Sequence, residues 1–222
     1  MKGRYFIACS LLVAAAFVAT VLAWPYLPER VPLHWNVHGE VDGWGPRGLM
    51  MVLGPGAMLA ELAIFALLPV LSPKRFEIES FARTYLRIML AAVLAGGYIT
   101  AVLLFAGVTG HVDVSAALLG GVSVLLVFIG NLMGKVRRNF FVGIRTPWTL
   151  ASERVWYATH RLAGKTIVAT GIASFAAALW GGLAGIVAWI ALVLVGVLVP
   201  VAYSFAHYKA LEREGGLEAP GM

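Results

Sequence analysis

The residues best suited to metal chemistry lie in one short polar stretch near the N-terminus. His34, His38, Glu40 and Asp42 fall within nine residues. Imidazole and carboxylate groups are ligands that zinc and similar divalent ions accept. The spacing of four between His34 and His38 would bring both rings together on a helix, but nearby prolines and glycines indicate turns. We therefore expect a hydrogen-bonded loop in which Asn36 and Asp42 bond to the backbone. A metal site at His34, His38 and Asp42 is the alternative.

A second stretch whose residue types could carry function is NFFVGIRTPWTLASERVWYATH, residues 139–160. It is aromatic and basic in an otherwise apolar chain. Pro147 biases the preceding residue toward an extended conformation and cannot continue a helix from upstream. Thr149 or Ser152 can cap the helix that follows, with Glu153 in its first turn facing the positive end of the helix dipole. The pattern predicts a turn that leads into a capped helix.

The helix after this turn is amphipathic by its spacing. It is predicted to lie in the headgroup layer before it turns into a membrane span, with Trp148 and Trp156 as interface anchors. One face carries Trp156, His160, Ala163 and Ile167, and another face carries Arg154, Arg161 and Lys165.

One carboxylate lies inside an apolar run. Glu61 is flanked by leucine and alanine on both sides, where a charged group costs about 2.5–3.5 kcal/mol on insertion scales. It should face the helix bundle and find a partner or stay protonated, and Arg87 is a candidate partner. Asn131 is a further polar residue near the end of a later apolar run. These residues favour either proton-coupled transport or a buried polar contact that fixes the helix register.

The composition of the chain is that of a membrane protein. Of the 222 residues 60% are hydrophobic and 13% are charged, and the mean hydropathy is +0.86. A soluble domain has about 25% charged residues. Six apolar runs are long enough to cross about 30 Å of hydrocarbon as helices. We predict an all-α integral membrane protein with six transmembrane helices, at 5–24, 49–71, 84–106, 114–134, 163–180 and 185–204.

The positions of the basic residues predict how the helices are oriented. Of the 17 lysines and arginines, 15 fall on one side of the six spans, and only Arg30 and Arg47 fall on the other. By the positive-inside rule both termini are cytoplasmic. The basic excess then faces anionic lipid headgroups, so direct binding of nucleic acid is not expected. Membrane lipid is therefore one predicted partner.

The polar segments divide the chain into three parts. An N-terminal two-helix module, residues 1–72, contains an outer loop at 25–48. A four-helix membrane domain, residues 73–208, contains an inner loop at 135–162. Residues 209–222 are predicted to be a short flexible tail.

Two stretches resemble a known family of bacterial membrane proteins. The run from Gly130 to Gly164 is similar to the signature of the SdpI family, and residues 27–48 resemble the extracytoplasmic module often joined to SdpI domains. The first match consists of Gly130-Asn131, Asn139, Gly143 to Leu150, Val155-Trp156, Thr159-His160 and Gly164, and the second of Pro32, His34, Asn36, Gly39, Asp42 and Gly43.

The resemblance implies a multi-pass protein of the bacterial plasma membrane with an immunity or receptor function. The family takes its name from an immunity protein that protects a bacterium against its own secreted peptide toxin, and that is implied to hold a cytoplasmic repressor at the membrane. No catalytic residues carry over. We expect the functional residues to lie in the inner loop and the outer loop. Those of the inner loop are Asn131, Asn139, Arg145, Thr146, Pro147, Trp148, Trp156 and His160; those of the outer loop are His34, Asn36, Glu40 and Asp42.

Our hypothesis is that part of the inner loop forms one cluster at the cytoplasmic surface. The cluster would combine hydrogen bonds with cation–π contacts, each worth about 0.5–2 kcal/mol. It would serve as a docking platform for a repressor, or it would only fasten the loop to the bundle. Its members are Asn139, Arg145, Trp148, Trp156 and His160.

Three functions stay open at this point. The first is a receptor or immunity protein that senses an extracytoplasmic peptide. The second is a small proton- or ion-coupled transporter that depends on Glu61, although no inverted repeat is visible. The third, a membrane enzyme with an outer metal site, lacks any familiar catalytic motif. Because Cys9 is the single cysteine, no cysteine metal cluster is available. The sequence predicts no cofactor other than the alternative of a divalent metal such as zinc at the outer loop. It does not indicate an oligomeric state.

Overall fold

Six long helices dominate the computed structural model, which describes residues 2–72, 78–110 and 113–217. Each of the six is long and apolar enough to cross a membrane, which confirms the predicted fold class and the number of spans. The spans contain α1, α2 with α3, α4, α5, α7 and α8, and the short α6 lies outside them. In chain order the α-helices are α1 (Lys2–Ala23), α2 (Leu49–Met51), α3 (Ala57–Leu71), α4 (Ala82–Thr109), α5 (Val114–Met133), α6 (Pro147–Ala151), α7 (Glu153–Trp180) and α8 (Gly182–Arg213).

The second span is kinked. Between α2 and α3 the chain forms a π-helical turn at Val52–Gly56, where Gly54 has φ −91° and ψ −106° and is followed by Pro55. A side chain at Gly54 would meet Thr100 of α4, since an added Cβ would lie 2.9 Å from its Cγ2. The kink therefore allows this span to approach α4 closely. The span then packs with α1 and α4 around Cys9, Met58, Met89 and Val93, all of which are buried.

The outer loop contains an antiparallel hairpin, which the sequence analysis did not predict. Strand β1 (Arg30–Trp35) pairs with β2 (Val41–Pro46), and we call residues 30–46 the outer hairpin. Two irregularities in the register, on either side of His34, accompany the proline and glycines that obscured the strand pattern. The expectation of turns rather than a helix between His34 and His38 is confirmed.

The outer hairpin is fastened to one end of α4. Leu27, Val31, Met50 and Leu104 form a buried apolar cluster between the loop, β1 and the helices. Gly107 allows this contact, because a Cβ there would lie 2.9 Å from Leu27 Cδ2. The hairpin is thus a fixed cover on the bundle end.

The C-terminal half is built around α7, which packs against both α5 and α8. Glycines bring the backbones together: an added Cβ at Gly130 would lie 2.9 Å from Val168 N, and one at Gly171 would lie 2.8 Å from Ser123 O. Small residues at such crossings are how helices pack tightly in lipid. Gly134 follows Gly130 by four residues, which gives a GxxxG spacing, but it has no such close contact. A Cβ added there would lie 4.0 Å from Arg161 Cγ.

Two details of the predicted segments differ from the structure. The amphipathic segment predicted before span five forms the first turns of α7 itself, and α7 runs without interruption to Trp180. Likewise α8 continues to Arg213, into the segment 209–222 that was expected to be a tail. Gly181 and Gly182 form the tight connection between α7 and α8, with φ values of +72° and +58° that suit glycine.

The domain boundary and the orientation in the membrane stay predictions from the sequence. The division at residues 72 and 73 borders the segment 73–77, which is outside the described residues, as are Lys74 and Arg75. Six crossings place both termini on the same side of the membrane. That this side is the cytoplasm stays a prediction from the distribution of basic residues.

The close crossing of α5 and α7 predicts the effect of a single added methyl group. In Gly171→Ala the new Cβ meets α5 backbone atoms that cannot rotate away, so the helices must separate, at a cost of about 1–3 kcal/mol. Thermal unfolding of the purified protein in detergent should show a lower Tm. Gly134→Ala is the matched control, because its Cβ would meet only Arg161 Cγ at 4.0 Å, an ordinary van der Waals distance. Equal Tm values for both variants would contradict the packing described here.

Candidate functional site

The inner loop begins with a turn organised by one buried amide. Asn139 is fully buried, and its Nδ2 donates to the carbonyls of Arg137 and Val142 at 2.8 and 2.9 Å. Its Oδ1 accepts from the backbone amides of Phe141 and Val142 at 2.8 and 2.7 Å. Both donors and both acceptor positions of the side chain are therefore used. Asn139 replaces the regular hydrogen bonds that the loop backbone lacks.

A buried histidine closes the loop onto α7. The backbone amide of Ile144 donates to His160 Nε2 at 3.0 Å, and His160 Nδ1 lies 2.8 Å from the carbonyl oxygen of Trp156. Because the carbonyl can only accept, Nδ1 carries the proton and Nε2 is the acceptor. The contact needs glycine at position 143, which has φ +112° and where an added Cβ would lie 2.3 Å from Nε2. His160 is thus held as one neutral tautomer.

Trp156 lies in the protein interior, which corrects its predicted role as an interface anchor. Its side chain is fully buried, its Nε1 donates to the carbonyl of Val136 at 2.8 Å, and its ring stacks on His160 with centroids 4.0 Å apart. It packs in a cluster with Tyr85 and Ile88 of α4 and Met133 of α5. Helical spacing correctly grouped Trp156 with His160, but that face contacts the bundle rather than headgroups.

A turn around the short helix α6 joins the loop to α7 and α8, and both α6 and α7 have an N-cap side chain in it. Thr146 is the N-cap of α6, and its side chain exchanges hydrogen bonds with Thr149 in a capping box. Ser152 caps α7, as the sequence predicts, whereas Thr149 is the third residue of α6 rather than a cap. The Thr146 hydroxyl also lies 3.1 Å from the hydroxyl of Ser204, so the turn is fastened to α8. We call Asn139, Thr149, Trp156 and His160 the inner core.

The remaining predicted residues of the loop are at the surface. Arg145 and Pro147 are exposed, and the Arg145 guanidinium donates to the carbonyl of Phe140. Trp148 is half-buried and contacts Phe205, with ring centroids 4.9 Å apart. We call Arg145, Pro147 and Trp148 the inner rim. The predicted cluster therefore consists of a buried part and a surface part, and Arg145 hydrogen-bonds to backbone rather than forming the expected indole contact.

Asn131 lies apart from both groups. It is exposed on α5 and borders a groove that also contains Arg161 and Lys165 of α7. The structure thus separates it from the inner-loop residues with which the sequence analysis grouped it.

The outer loop residues organise the turn of the outer hairpin. Asn36 Oδ1 accepts from the amides of His38 and Glu40 at 2.9 and 3.0 Å, and Asn36 Nδ2 donates to the Glu40 carboxylate. His34 Nδ1 pairs with Asp42 Oδ1 at 2.5 Å across the strands. Asn36 therefore forms the backbone-bonded turn expected of it, whereas Asp42 pairs with a side chain. Within the described residues no three His, Cys, Asp or Glu side chains are grouped to hold a metal ion.

Glu61 faces the other helices of the N-terminal half. It is half-buried on α3, and its Oε2 would lie 3.4 Å from a Cβ added at Gly96 of α4. Arg87 is exposed, and in the part of the chain that the structure describes the two side chains do not form an ion pair.

Three residues of the site escaped sequence reasoning. Gly143 was noticed only as part of a motif, since its positive φ and its contact with His160 depend on the fold. Val136 contributes a carbonyl oxygen, which any residue would supply. Ser204 lies in an apolar helix far along the chain, where one hydroxyl gives no signal.

Comparisons with known proteins match both halves of the chain. Residues 135–204 match the model of the SdpI/YfhL protein family, and residues 11–59 match a domain of unknown function, DUF1648. The chain is 27% identical over 201 residues to the immunity protein SdpI of Bacillus subtilis strain 168, covering 90% of this chain and 94% of that protein. No solved structure matches.

The four hydrogen bonds of Asn139 predict a strong effect of a small change. Asn139→Asp keeps the two bonds from backbone amides but places a second acceptor against two buried carbonyls, and each carbonyl left unpaired costs about 1–3 kcal/mol. We expect a lower Tm and faster protease cleavage between residues 137 and 150. Asn131→Asp, at an exposed position, is the control. An unchanged cleavage rate in Asn139→Asp would show that the turn does not depend on this amide.

Zinc at the outer hairpin stays a prediction, and its test is direct. If His34, His38 and Asp42 bind zinc, the purified protein should carry about one equivalent, and His34→Ala should remove it. Metal analysis of both proteins after identical purification measures this. The finding of no metal in either protein would end the zinc prediction.

Proposed function

Because the chain belongs to the SdpI family of multi-pass bacterial plasma-membrane proteins, we propose that it is an immunity protein. It protects the cell against a secreted antimicrobial peptide and signals the presence of that peptide to a cytoplasmic repressor. The observation that carries the proposal is the similarity to an immunity protein over 90% of the chain. The similarity includes both the outer hairpin and the inner loop.

The outer hairpin supplies a surface that suits an apolar peptide. A groove of about 610 Å³ lies between the hairpin and the outer end of α4. Aromatic side chains and prolines bury apolar area without the entropy loss of long flexible chains. The peptide would bind here before it inserts into lipid. The groove is lined by, among others, Tyr26, Pro28, Pro32, Trp35 and Trp44.

Helix α4 offers a physical connection between the two faces. At its outer end Leu104 and Gly107 contact the apolar cluster of the outer hairpin, and at its inner end Tyr85 and Ile88 pack in the cluster of Trp156. With 28 residues it is about 42 Å long. A peptide that displaced the hairpin would shift a rigid helix whose other end contacts the inner core. In this proposal α4 transmits the signal.

The inner rim is the proposed contact for the repressor. Arg145 and Pro147 are exposed and Trp148 is half-exposed. Arginine and tryptophan are among the residues that contribute most to protein interfaces. The buried inner core holds the rim in place through the turn at Thr146. This role requires the predicted orientation, in which the inner loop faces the cytoplasm.

A second candidate function is proton-coupled transport. It is favoured by the position of Glu61, a carboxylate inside the bundle for which the described residues provide no ion-pair partner. Intramembrane carboxylates commonly act in proton relays. A challenge with the peptide separates the candidates, because transport of an unrelated solute gives no resistance to a toxin.

The test of the proposal is a toxin challenge of a deletion strain. Cells without the gene should be killed by the peptide fraction of the parent strain's own medium, and the wild-type gene should restore growth. In the double variant Arg145→Ala/Trp148→Ala, the transcriptional response to the peptide should fall at least about tenfold while the protein level stays unchanged. Arg137→Ala, another exposed arginine of the same loop, is the control. Equal survival with and without the gene would contradict the immunity function.

The same experiment tests the role of the inner rim. Loss of the Trp148–Phe205 contact removes about 0.5–1.5 kcal/mol, which a folded membrane protein tolerates. If the protein level of the double variant falls in step with the response, the rim fastens the loop and does not dock a partner.

A further inference from the structure

An open groove crosses the surface of the C-terminal half near its inner end. Its volume is about 850 Å³. The floor is one face of α7, and the two walls are α5, with Gly130, Asn131 and Gly134, and α8, with Tyr203. The wall on α5 is low because two of its three residues are glycines. The groove is distinct from the inner core and the inner rim. We call it the basic groove.

The floor of the basic groove changes character along its length. Arg161 and Lys165 are exposed at one end, and Val168, Ala169 and Ile172 follow on the same face of α7. The spacing of four between the two basic residues places both side chains on one side of the helix. A cationic site thus continues directly into an apolar channel.

Neither cation has a partner among the residues that the structure describes. The ion pairs and hydrogen bonds of these residues do not include Arg161 or Lys165. Arg138 of the inner loop, by comparison, binds Glu153 at 3.5 Å and the carbonyl of Leu150 at 3.2 Å. The charge of the basic groove is therefore open to an anion from outside the described chain.

The depth of the groove in the membrane matches the dimensions of a phospholipid. Counted from Trp180 at the other end of α7, Arg161 lies about 28 Å and Lys165 about 22 Å along the helix axis. The hydrocarbon layer is about 30 Å thick, so Arg161 lies at its boundary and Lys165 about 8 Å inside it, from where the long lysine side chain extends toward the boundary. Ile172, about 12 Å from Trp180, is 62% exposed within the hydrocarbon layer. The apolar end of the groove thus opens to acyl chains.

We propose that the basic groove binds one anionic phospholipid. The phosphate lies between the Arg161 guanidinium and the Lys165 ammonium group, with the Asn131 amide and the Tyr203 hydroxyl at the rims. One acyl chain lies along Val168, Ala169 and Ile172. A soluble phosphate would leave this channel empty, and an acidic peptide segment would have to enter hydrocarbon, so a lipid satisfies both halves of the groove. The proposal does not depend on the immunity function.

The experiment measures lipid selectivity of the full-length protein. The protein is reconstituted in phosphatidylcholine vesicles, and spin-labelled phosphatidylglycerol is compared with spin-labelled phosphatidylcholine for its motionally restricted fraction. Each basic group near a membrane surface contributes about fivefold to anion attraction. Arg161→Gln/Lys165→Gln should therefore reduce the preference for phosphatidylglycerol by at least about fivefold. Lys135→Gln/Arg137→Gln removes the same charge from exposed residues outside the groove. It lowers only the general attraction of the surface for anions, so it should reduce the preference less than Arg161→Gln/Lys165→Gln does.

A second pair of variants tests the groove without changing charge. Ala169→Phe fills the apolar channel and should also remove most of the preference. Ala173→Phe adds the same ring at an exposed position of α7 outside the groove and should leave the preference unchanged.

Three outcomes would overturn the proposal. Equal losses in the groove variants and their controls would indicate general surface charge. Displacement of the labelled lipid by millimolar inorganic phosphate would indicate a site for free anions. Unchanged lipid selectivity in Arg161→Gln/Lys165→Gln would show that the two cations do not hold a lipid headgroup.

Discussion

The hydrogen bond from the Ile144 amide to His160 Nε2 is the interaction on which the inner half of the molecule depends. Asn139 and His160 are fully buried, and backbone groups that are buried away from water must find hydrogen-bond partners within the protein. His160 meets this requirement by bonding the loop on one side and the carbonyl of Trp156 on the other. Gly143 gives the ring its space, and Asn139 completes the turn. The loop is rigid because its polar groups are used internally.

This internal use divides the loop into two parts with different consequences. The donors and acceptors of the inner core side chains form hydrogen bonds within the protein. These side chains therefore contribute to stability and have little capacity left for a ligand. The inner rim has exposed surface and contributes little to the fold. A change of function without a loss of stability is therefore expected at Arg145 or Trp148 rather than at Asn139 or His160.

The sequence predicted the six spans to within a few residues at most ends, because hydropathy over about 20 residues reports directly on burial in lipid. The largest differences are at the start of α7 and the end of α8, where polar side chains lie on helices that continue past the apolar run. The outer hairpin was missed because Pro32 and Gly43 lie within its strands, where they usually indicate turns. Trp156 was misplaced because spacing identifies a common face but not what the face contacts.

The same limitation explains which contacts of the inner loop no sequence pattern could reveal. Gly143 meets His160 across 17 positions of the chain, and Thr146 meets Ser204 across 58. Such contacts require that α7 already packs against α5 and α8. The glycines at 130, 164 and 171 make the contact with α5 possible, and Gly196 makes the contact with α8 possible, since a Cβ there would meet Thr170. The loop geometry is therefore a consequence of helix packing in lipid rather than of local sequence. A loop excised from the bundle would lose the His160 acceptor and with it the conformation that presents the inner rim.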